Sequence, residues 1–418
     1  MSKGSDVDHT KVGMGKMRSG PLAGIKILDL TSVVMGPFAT QILAQLGAEV
    51  TKIESENGDD MRHAGSMRHP GMGHIFLQAN QGKRSVVLDL KTSEGHQALL
   101  RLVKRSDVFI SNMRPQILSR LRLDYEVIRR ANKRIIHATC VGFDQNGPYS
   151  GRPAYDDLIQ GATCVPWLMQ QYGTDQPCYA PVTLADRVAG LHVVYSVIAA
   201  LFARNSTARG QRISISMFEA MTQFILGDHF GGLMFEPAIG DAGYARLLSP
   251  HRRPYRTKDG YLCVLVYNDK HWKNFFDAVD TLGTLRRDSR FATHAARVAN
   301  IDAIYEEIAR LMLTRSSGEW KQLLDDADIP NSPMNTPQDL LNDPHLKATG
   351  YIRVVDHPSE GRLRIPRNPT SWSDTALNET LSPAPTLGEH TVEVLKEIGY
   401  TDEQVLAITS RPPDKNEC

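Results

Sequence analysis

One long apolar run constrains the fold of this chain more than any other part of its sequence. Residues 188–203 are almost entirely apolar, but His192 and Ser196 interrupt them and the run is short for a membrane span. The run therefore predicts a buried helix over residues 187–204. A polar turn at residues 209–212 then leads into a predicted strand over residues 212–216. This pairing of a buried helix with a strand is typical of α/β domains.

Asp186 comes directly before this predicted helix. An aspartate at a helix start caps the free backbone amides, and the positive end of the helix stabilises its charge. Capping accounts for most isolated aspartates at such positions, so the residue type alone leaves the role of Asp186 open. A carboxylate kept ionised in this way can also attack an acyl group.

Residues 20–54 predict the start of a parallel α/β sheet. A strand over residues 25–30 is followed by a helix over residues 38–46 and a second strand over residues 49–54. The connecting loop, residues 31–37, follows the first strand, where open α/β sheets bind ligands. It lacks the glycines of the GxGxxG dinucleotide fingerprint, and a plain turn is the alternative reading.

The rest of the chain predicts two domains. Further strands over residues 86–90, 107–112 and 133–140, with a helix over residues 94–105, complete a large Rossmann-like parallel sheet domain, residues 20–225. Composition changes after residue 235, where an Asp259-Gly260 hairpin turn opens a smaller α+β domain, residues 235–330. Residues 330–337 are predicted as a linker, residues 338–418 as a return to the large domain, and residues 1–19 as a disordered extension.

Composition excludes several classes of protein. The sequence is 41% hydrophobic and 23% charged with a net charge of +1, so it has no global field to attract nucleic acid or an anionic membrane. Its five cysteines have no CxxC spacing, which argues against a zinc site and a disulfide framework. With no apolar core in the N-terminal stretch, these features predict a cytoplasmic protein without a metal.

Three stretches carry a resemblance to a known family. They are Leu-Ala-Asp-x-x-Ala-Gly ending at Gly190, Gly-Gln-Arg-Ile-Ser-Ile-Ser-Met-Phe-Glu-Ala ending at Ala220, and Asn-x-x-Lys-Arg-Ser-x-x-x-Asp-Leu starting at Asn80. Together with matches over residues 20–406, they closely resemble the class III coenzyme A transferases, the family of formyl-CoA transferase and carnitine-CoA transferase. The resemblance implies an interlocked homodimer, with linkers near residues 220–235 and 325–340. It also implies that coenzyme A (CoA) is a substrate and that no other cofactor is needed.

The resemblance also assigns residues. It implies that Asp186 is the nucleophile, which forms a mixed anhydride with the acyl group and then an aspartyl-CoA thioester. It places Tyr155 and Asp156 on the acceptor side, although Asp156 or Asp157 is equally a simple helix cap. The residues assigned to the CoA side are Val33, Val34, Met35, Lys83, Arg84, Asn112, Met113, Arg120 and Met217. Lys83 and Arg84 suit phosphates by charge, although a solvated basic turn is the alternative interpretation of this pair. For Met217 the alternative is an ordinary core methionine.

The chain departs from the formyl-CoA transferases at three places. Val34 replaces a glutamine, Pro153-Ala154 replaces a segment with a lysine, and residues 244–255 lack a run of four glycines. These changes argue against oxalate as the acceptor and for another carboxylic acid. The alternatives are a 2-methylacyl-CoA racemase-like isomerase and a non-catalytic acyl-CoA-binding protein. The isomerase motif Gly-His-Asp is missing its histidine, because Tyr155 precedes Asp156 here.

Overall fold

The computed structural model describes residues 19–280, 282–377 and 381–409. Residues 1–18 of the predicted disordered extension lie outside the described residues. Residues from 410 onwards also lie outside them. The described chain divides into two compact units. The first comprises the described residues up to Ala154, Asp186–Met217 and those from Arg353 onwards; the second comprises Tyr155–Ala185 and Phe218–Ile352.

A parallel sheet of six strands forms the centre of the first unit and confirms the predicted Rossmann-like fold. The strands are β1 (Lys26–Leu30), β2 (Glu49–Glu54), β3 (Lys83–Val87), β4 (Val108–Ser111), β5 (Ile136–Val141) and β6 (Arg212–Ser216). Their order is β3-β2-β1-β4-β5-β6, with every neighbouring pair parallel. The order reverses between β1 and β4, so the loops at the carboxyl ends of these two strands flank the usual ligand crevice of such sheets.

Helices cover the faces of this sheet. The helices of the first unit are α1 (Met35–Gln45), α2 (His74–Ala79), α3 (Ser93–Lys104), α4 (Pro115–Arg120), α5 (Tyr125–Ala131), α8 (Leu184–Thr207), α17 (Thr391–Glu397) and α18 (Asp402–Thr409). Thr92 caps α3 by accepting from the Gly95 amide, and Leu99 and Val103 of α3 lie in the core. The same core holds Val394 and Leu395 of α17, so the end of the chain completes one face of the sheet. A short ribbon, β10 (Ile352–His357) and β11 (Gly361–Pro366), precedes α17.

Helix α8 begins earlier than predicted. It starts at Leu184, so Asp186 is its third residue and lies in the first turn; the expected N-cap position for Asp186 was wrong. The favourable interaction with the helix dipole remains, because it extends over the first turn. The helix is 24 residues long and contains an 18-residue window with a mean hydropathy of 1.5, enough by length and composition for a membrane span, but half of that window is buried in the protein.

Helix α8 also runs opposite to the strands. Near its end, Arg204 forms an ion pair with Asp107, the residue that precedes β4, with 2.9 Å between Nη2 and Oδ1. Near its start, Gly190 packs against Met35 and Phe38 of α1, the helix that follows β1. Asp107 marks the amino edge of the sheet and Met35 the carboxyl edge. The start of α8, with Asp186, therefore lies at the carboxyl edge.

The second unit has a small antiparallel sheet and an aromatic core. Its strands are β7 (Tyr255–Arg256), β8 (Tyr261–Val264) and β9 (Asn331–Pro333), in that order. Its helices are α6 (Asp156–Ala162), α7 (Val165–Tyr172), α9 (Met217–His229), α10 (Ala245–Leu248), α11 (Asp269–Val279), α12 (His294–Ala299), α13 (Ile301–Met312), α14 (Ser317–Asp326), α15 (Pro337–Asn342) and α16 (Pro344–Ala348). Trp272, Phe275, Phe276, Phe291 and Trp320 fill the core.

Two features of this unit differ from the sequence reasoning. Strand β9 lies in residues 330–337, which were expected to be a plain linker, and it pairs with β8. Residues 155–185 and 218–225, which were predicted in the large domain, group with the second unit, as do residues 338–352, which were predicted to return to the large domain. Helix α7 contacts α10, and the Tyr172 hydroxyl donates to the Arg252 carbonyl, so tertiary contacts decide this grouping.

Candidate active site

The loop between β1 and α1 is held by three buried or half-buried side chains. Lys52 Nζ donates to the Thr31 carbonyl over 2.6 Å. Asn112 brackets Ser32, accepting from its amide over 3.1 Å and donating to its carbonyl over 2.8 Å. Asp59 Oδ1 accepts from the Val33 amide over 3.0 Å. Val33 has a φ of 70°, an unfavourable conformation for a β-branched residue that these contacts must maintain.

Helix α1 begins at Met35, three residues before the predicted start at residue 38. The Gly36-Pro37 pair indicated a loop, but proline is tolerated in the first turn of a helix, where an amide is not needed. Glycine is required at position 36, since a Cβ there would lie 2.3 Å from the Thr31 Cβ. The cap residue Val34 supplies no side-chain hydrogen bond, and the first amides of a helix have no partner within it. The start of α1 is therefore a positive terminus beside the loop.

Asp186 lies one helical turn from the contact between α8 and this terminus. Gly190 is one helical turn after Asp186 on the same face of α8, and a Cβ at Gly190 would be 3.0 Å from the Met35 carbonyl oxygen. The guanidinium of Arg187 lies 4.6 Å from the centre of the Phe38 ring. Burial lowers the pKa of Arg187, and the neighbouring Asp186 opposes that shift. Asp186 itself is 8% exposed, so its carboxylate is largely buried and close enough to the Arg187 guanidinium to influence it electrostatically.

A buried ionic network lies beneath the loop. Asp29 in β1 is fully buried; it pairs with Lys83 Nζ over 3.0 Å and accepts from the hydroxyls of Thr31 and Thr40. Burial by itself raises the pKa of Asp29, but Lys83, Lys52 and the two hydroxyls bring it down to about 2. Asp29 is therefore ionised at any ordinary pH and helps to hold the β1 end of the loop.

The pKa values of Lys52 and Lys83 are shifted in opposite directions. Burial lowers the pKa of Lys52, but the carboxylates of Asp29, Asp59 and Glu54 outweigh burial and raise it. Lys83 has fewer anions near it, so burial together with the repulsion of Lys52 lowers its pKa to about 8. Lys52 is thus a firmly charged group at the centre of the network, and it reaches the loop directly.

Lys83 and Arg84 do not reach the carboxyl edge together. They begin β3, at the amino end of that strand, and successive strand residues face opposite sides of a sheet. The Lys83 ammonium is fully buried and donates to Asp29, to Asn80 Oδ1 and to the Pro37 carbonyl. Arg84 forms an ion pair with Glu397 of α17 over 2.8 Å. Their placement gives both residues structural partners and does not favour one shared phosphate.

The other residues expected on the CoA side are closer to the edge. Asn112 and Met113 follow β4, and Asn112 fastens the loop that contains Val33. Arg120 ends α4 and is exposed. Val34 and Met35 are buried at the start of α1, and Met217, which follows β6, is buried at 5% exposure. Val33, Val34, Met35, Asn112 and Met217 thus all follow strands whose carboxyl ends meet at this edge.

Tyr155 and Asp156 belong to the second unit. Asp156 is the first residue of α6, is 8% exposed and accepts from Gln160 Nε2 over 2.5 Å. Gln160 also donates to the Val182 carbonyl and accepts from the Ala180 amide, so it connects Asp156 to the segment before α8. Tyr155 precedes the helix and is 65% exposed. A buried carboxylate beside an exposed phenol is available to meet a substrate from within this unit.

Several residues of the site escaped the sequence reasoning. Asp59 and Lys52 act through contacts across the sheet, and Gln160 looks like any helix-surface residue in the sequence. The Gly-Asp-Asp at residues 58–60, followed by Arg62, was the available signal, because aspartate after glycine is typical of a tight turn that presents its carboxylate to the backbone. Among the residues that the structure describes, no cluster of three or more His, Cys, Asp or Glu side chains is arranged to hold a metal ion.

A cleft in the first unit is separate from this edge. It has a volume of about 360 Å³, and its lining includes Gln45, the last residue of α1, and Gln81, which precedes β3. Gln45 ends α1 and Gln81 comes before the amino end of β3, so both lie toward the amino edge of the sheet, and the cleft is not part of the candidate active site.

Comparison with known proteins gives consistent similarities. A family model described as CoA-transferase family III matches residues 22–391. The chain is 33% identical over 395 residues to the succinate–glutarate CoA-transferase of Agrobacterium fabrum, covering 91% of this chain and 96% of that protein. It is 30% identical over 415 residues to the formyl-CoA:oxalate CoA-transferase of Rhodopseudomonas palustris, covering 93% and 96%. The crystal structure of a CAIB/BAIF family protein from Brucella suis matches with a TM-score of 0.77 and 31% identity, over 91% of this chain and all of that one.

Proposed function

Because the chain belongs to CoA-transferase family III, we propose that Asp186 is the nucleophile of its transfer reaction. CoA-transferases exchange CoA between an acyl-CoA thioester and a free carboxylic acid. The single observation that supports Asp186 is its position: it is a largely buried carboxylate in the first turn of α8, one helical turn before Gly190, which packs on the start of α1. The positive end of a helix stabilises an ionised carboxylate in its first turn, and backbone amides aimed at an oxyanion stabilise the intermediates formed from it.

The proposed reaction has four steps. The Asp186 carboxylate attacks the thioester carbonyl of the donor, releasing CoA thiolate and forming a mixed anhydride. The thiolate attacks the aspartyl carbonyl, which releases the donor acid and leaves an aspartyl-CoA thioester. The acceptor carboxylate attacks that thioester and again frees the thiolate, forming a second anhydride. The thiolate then attacks the acceptor acyl carbon, which gives the new acyl-CoA and restores the Asp186 carboxylate.

We assign the CoA side to residues at the carboxyl edge of the sheet. Val33, Val34 and Met35 line it, and Asn112 and Met113 border it after β4. Arg120 is exposed at the end of α4 and supplies a charge-assisted contact to a phosphate. Arg120→Ala is therefore expected to weaken CoA binding, by about 1.5–3 kcal/mol for a contact of this type. Arg129→Ala removes an exposed cation on α5 that pairs with Glu126, and it is the matched control in calorimetric titrations.

Tyr155 and Asp156 are assigned to the acceptor acid. Val34 stands where the formyl-CoA transferases resembled in sequence carry a glutamine, which argues against oxalate. The Agrobacterium relative is named for succinate and glutarate, so these two longer dicarboxylic acids are the first acceptors to test. A panel of acyl-CoA donors crossed with free acids, with the CoA products resolved by mass, identifies the pair.

We also propose that the chain works as a homodimer in the cytoplasm. Helix α8 exposes Leu191, Tyr195 and Phe202, at 52%, 55% and 76%, along one side. An apolar stripe of this kind suits burial against a second copy. Light scattering is expected to give twice the chain mass of 46.5 kDa, and Phe202→Glu to reduce it. Leu282→Glu, which changes an equally exposed leucine of the second unit, is the control; a monomeric wild type contradicts the dimer.

The nucleophile is tested by Asp186→Asn. The amide keeps the size of the side chain but cannot form an anhydride that turns over, so transfer is expected to fall roughly 10³-fold or more. Asp302→Asn makes the same change in the first turn of α13 and controls for the loss of a helix-dipole contact. Trapping with hydroxylamine or borohydride, followed by peptide mass analysis, identifies the acylated residue. Full activity in Asp186→Asn, or an adduct on another carboxylate, contradicts the assignment.

A further inference from the structure

We propose that Asp59 is a positioning residue for the transfer reaction: it fixes the start of α1 relative to Asp186, an inference that rests on the proposed function. Asp59 is 2% exposed and follows β2 in the loop of residues 55–59. None of the residues assigned to donor, acceptor or nucleophile lies in this loop. The Asp59 carboxylate nevertheless contacts the backbone of the loop between β1 and α1, in addition to the short helix that it caps.

The carboxylate of Asp59 divides its two oxygens between two tasks. Oδ1 accepts from the Met61 amide over 3.0 Å, which caps the short helix at residues 60–63, and from the Val33 amide over 3.0 Å. Oδ2 pairs with Lys52 Nζ over 2.9 Å, in an ion pair with both side chains at most 1% exposed. The same ammonium donates to the Thr31 carbonyl. The Asp59–Lys52 pair therefore holds the loop between β1 and α1 by hydrogen bonds at two residues, Thr31 and Val33.

The hydrogen bond from the Val33 amide to Asp59 is important because the backbone of Val33 lies in the left-handed region. A β-branched residue adopts such a φ only when its surroundings enforce it. With its amide turned toward Asp59, the chain reverses at Val33, so that Val34 and Met35 start α1. Without that acceptor, Val33 is free to relax toward an ordinary conformation, and the first turn of α1 moves with it.

The first turn of α1 is also the surface against which α8 packs. Gly190 meets Met35 and Phe38, and Asp186 is one turn away on the same face. Attack of Asp186 on a thioester produces an oxyanion, and backbone amides stabilise it only if they already point at it. A shift of about 1 Å in such groups lowers a rate by about 100-fold. Asp59 thus acts on the reaction through the backbone, without touching the substrate.

Two double variants isolate this contact. Removing Asp59 alone leaves Lys52 buried and unpaired, which threatens folding. Asp59→Asn with Lys52→Met keeps an acceptor for the Val33 amide, whereas Asp59→Ala with Lys52→Met removes it; both lack the buried charges. The alanine pair is expected to have a kcat roughly 10–100-fold below that of the asparagine pair, with KM for the acyl-CoA within about threefold. A merely stabilising role changes the melting temperature but does not separate kcat from KM in this way.

Amide hydrogen exchange provides a readout that needs no substrate. Peptides covering residues 31–38 are expected to exchange faster in the alanine pair than in the asparagine pair, while peptides from α3 exchange equally in both. If the wild type transfers no CoA, the proposed function fails and the exchange result still reports on the loop. If the wild type is active but the two pairs have equal kcat and equal exchange over residues 31–38, the positioning role of Asp59 is overturned.

Discussion

Gly190→Ala tests whether the packing of α8 on α1 sets the position of Asp186. The added Cβ would lie 2.8 Å from Phe38 Cδ1 and 3.0 Å from the Met35 carbonyl oxygen. Carbon atoms pack at about 3.5–4.0 Å, so either the two helices separate by roughly 0.5–1 Å or the Phe38 ring turns aside. The Met35 carbonyl belongs to the backbone of the first helical turn and has less freedom to yield than the ring.

The expected effects on stability and on activity differ in size. Alanine is about 1 kcal/mol better than glycine inside a helix, whereas overpacking costs about 1–3 kcal/mol. The free energy of unfolding is therefore expected to fall by about 0–2 kcal/mol, a modest change. A displacement approaching 1 Å beside the nucleophile lowers kcat by about 10–100-fold. Activity is thus expected to suffer far more than stability.

Gly227→Ala is the matched control. Gly227 lies inside α9 with nothing within 4 Å of an added Cβ, so alanine there is expected to add up to about 1 kcal/mol and to leave kcat unchanged. Urea unfolding measures the stability of both variants, and steady-state transfer measures kcat. A Gly190→Ala enzyme that gains stability like Gly227→Ala and keeps wild-type kcat refutes the argument that this contact positions Asp186.

Three further outcomes follow from the structure. Because the pKa of Asp29 is held at about 2, its contribution of about 2 kcal/mol is complete above pH 4 and lost as the pH falls toward 2; Asp29→Asn is expected to flatten this part of a stability–pH profile. Trp320→Phe removes the Nε1 donor to the Met312 carbonyl, 2.8 Å away, and is expected to cost about 2–3 kcal/mol in urea unfolding with no change in CoA affinity. Asp156→Asn is expected to slow transfer to the acceptor but not formation of the first anhydride in single-turnover experiments, whereas Asp157→Asn, at the next and exposed position, is expected to change neither step.

The parts of the fold predicted correctly are those that a local pattern determines. β1 and the central part of α8 are mostly apolar, and β2 contains the β-branched residues Val50, Thr51 and Ile53, so these elements follow from local composition and length. The predicted start of α1, residue 38, was too late, because a Gly-Pro pair locally indicates a turn. In the structure Gly36 packs on Thr31, and Gly36-Pro37 belongs to the first turn of the helix. Strand β9 has three residues, too few for a period, and exists only because β8 offers it a partner.

The site was predictable to a similar extent. The sequence singled out Asp186, but the reason for its position, the close approach of Gly190 to α1, depends on two segments far apart in the chain. Lys83 and Arg84 looked like a pair of phosphate ligands because they are adjacent and basic. The alternation of a strand puts them on opposite faces, where Asp29 and Glu397 satisfy them. Burial of an ion pair depends on tertiary contacts. Neither the buried Lys83–Asp29 pair nor the buried Lys52–Asp59 pair can therefore be predicted from composition.

The interrupted path of the chain through the first unit has a consequence for its synthesis. The last strand of the sheet ends at Ser216, but α17 and α18, which cover Leu99 and Val103, come only from Thr391 onwards. At typical translation speeds, on the order of ten to thirty-five seconds pass between these two points on the ribosome. During that time the apolar face that α17 and α18 will complete is only partly buried, while most of the second unit, Phe218–Ile352, is being made. A chaperone that binds this face is therefore expected to change the yield of folded protein rather than the activity of the molecules that finish folding.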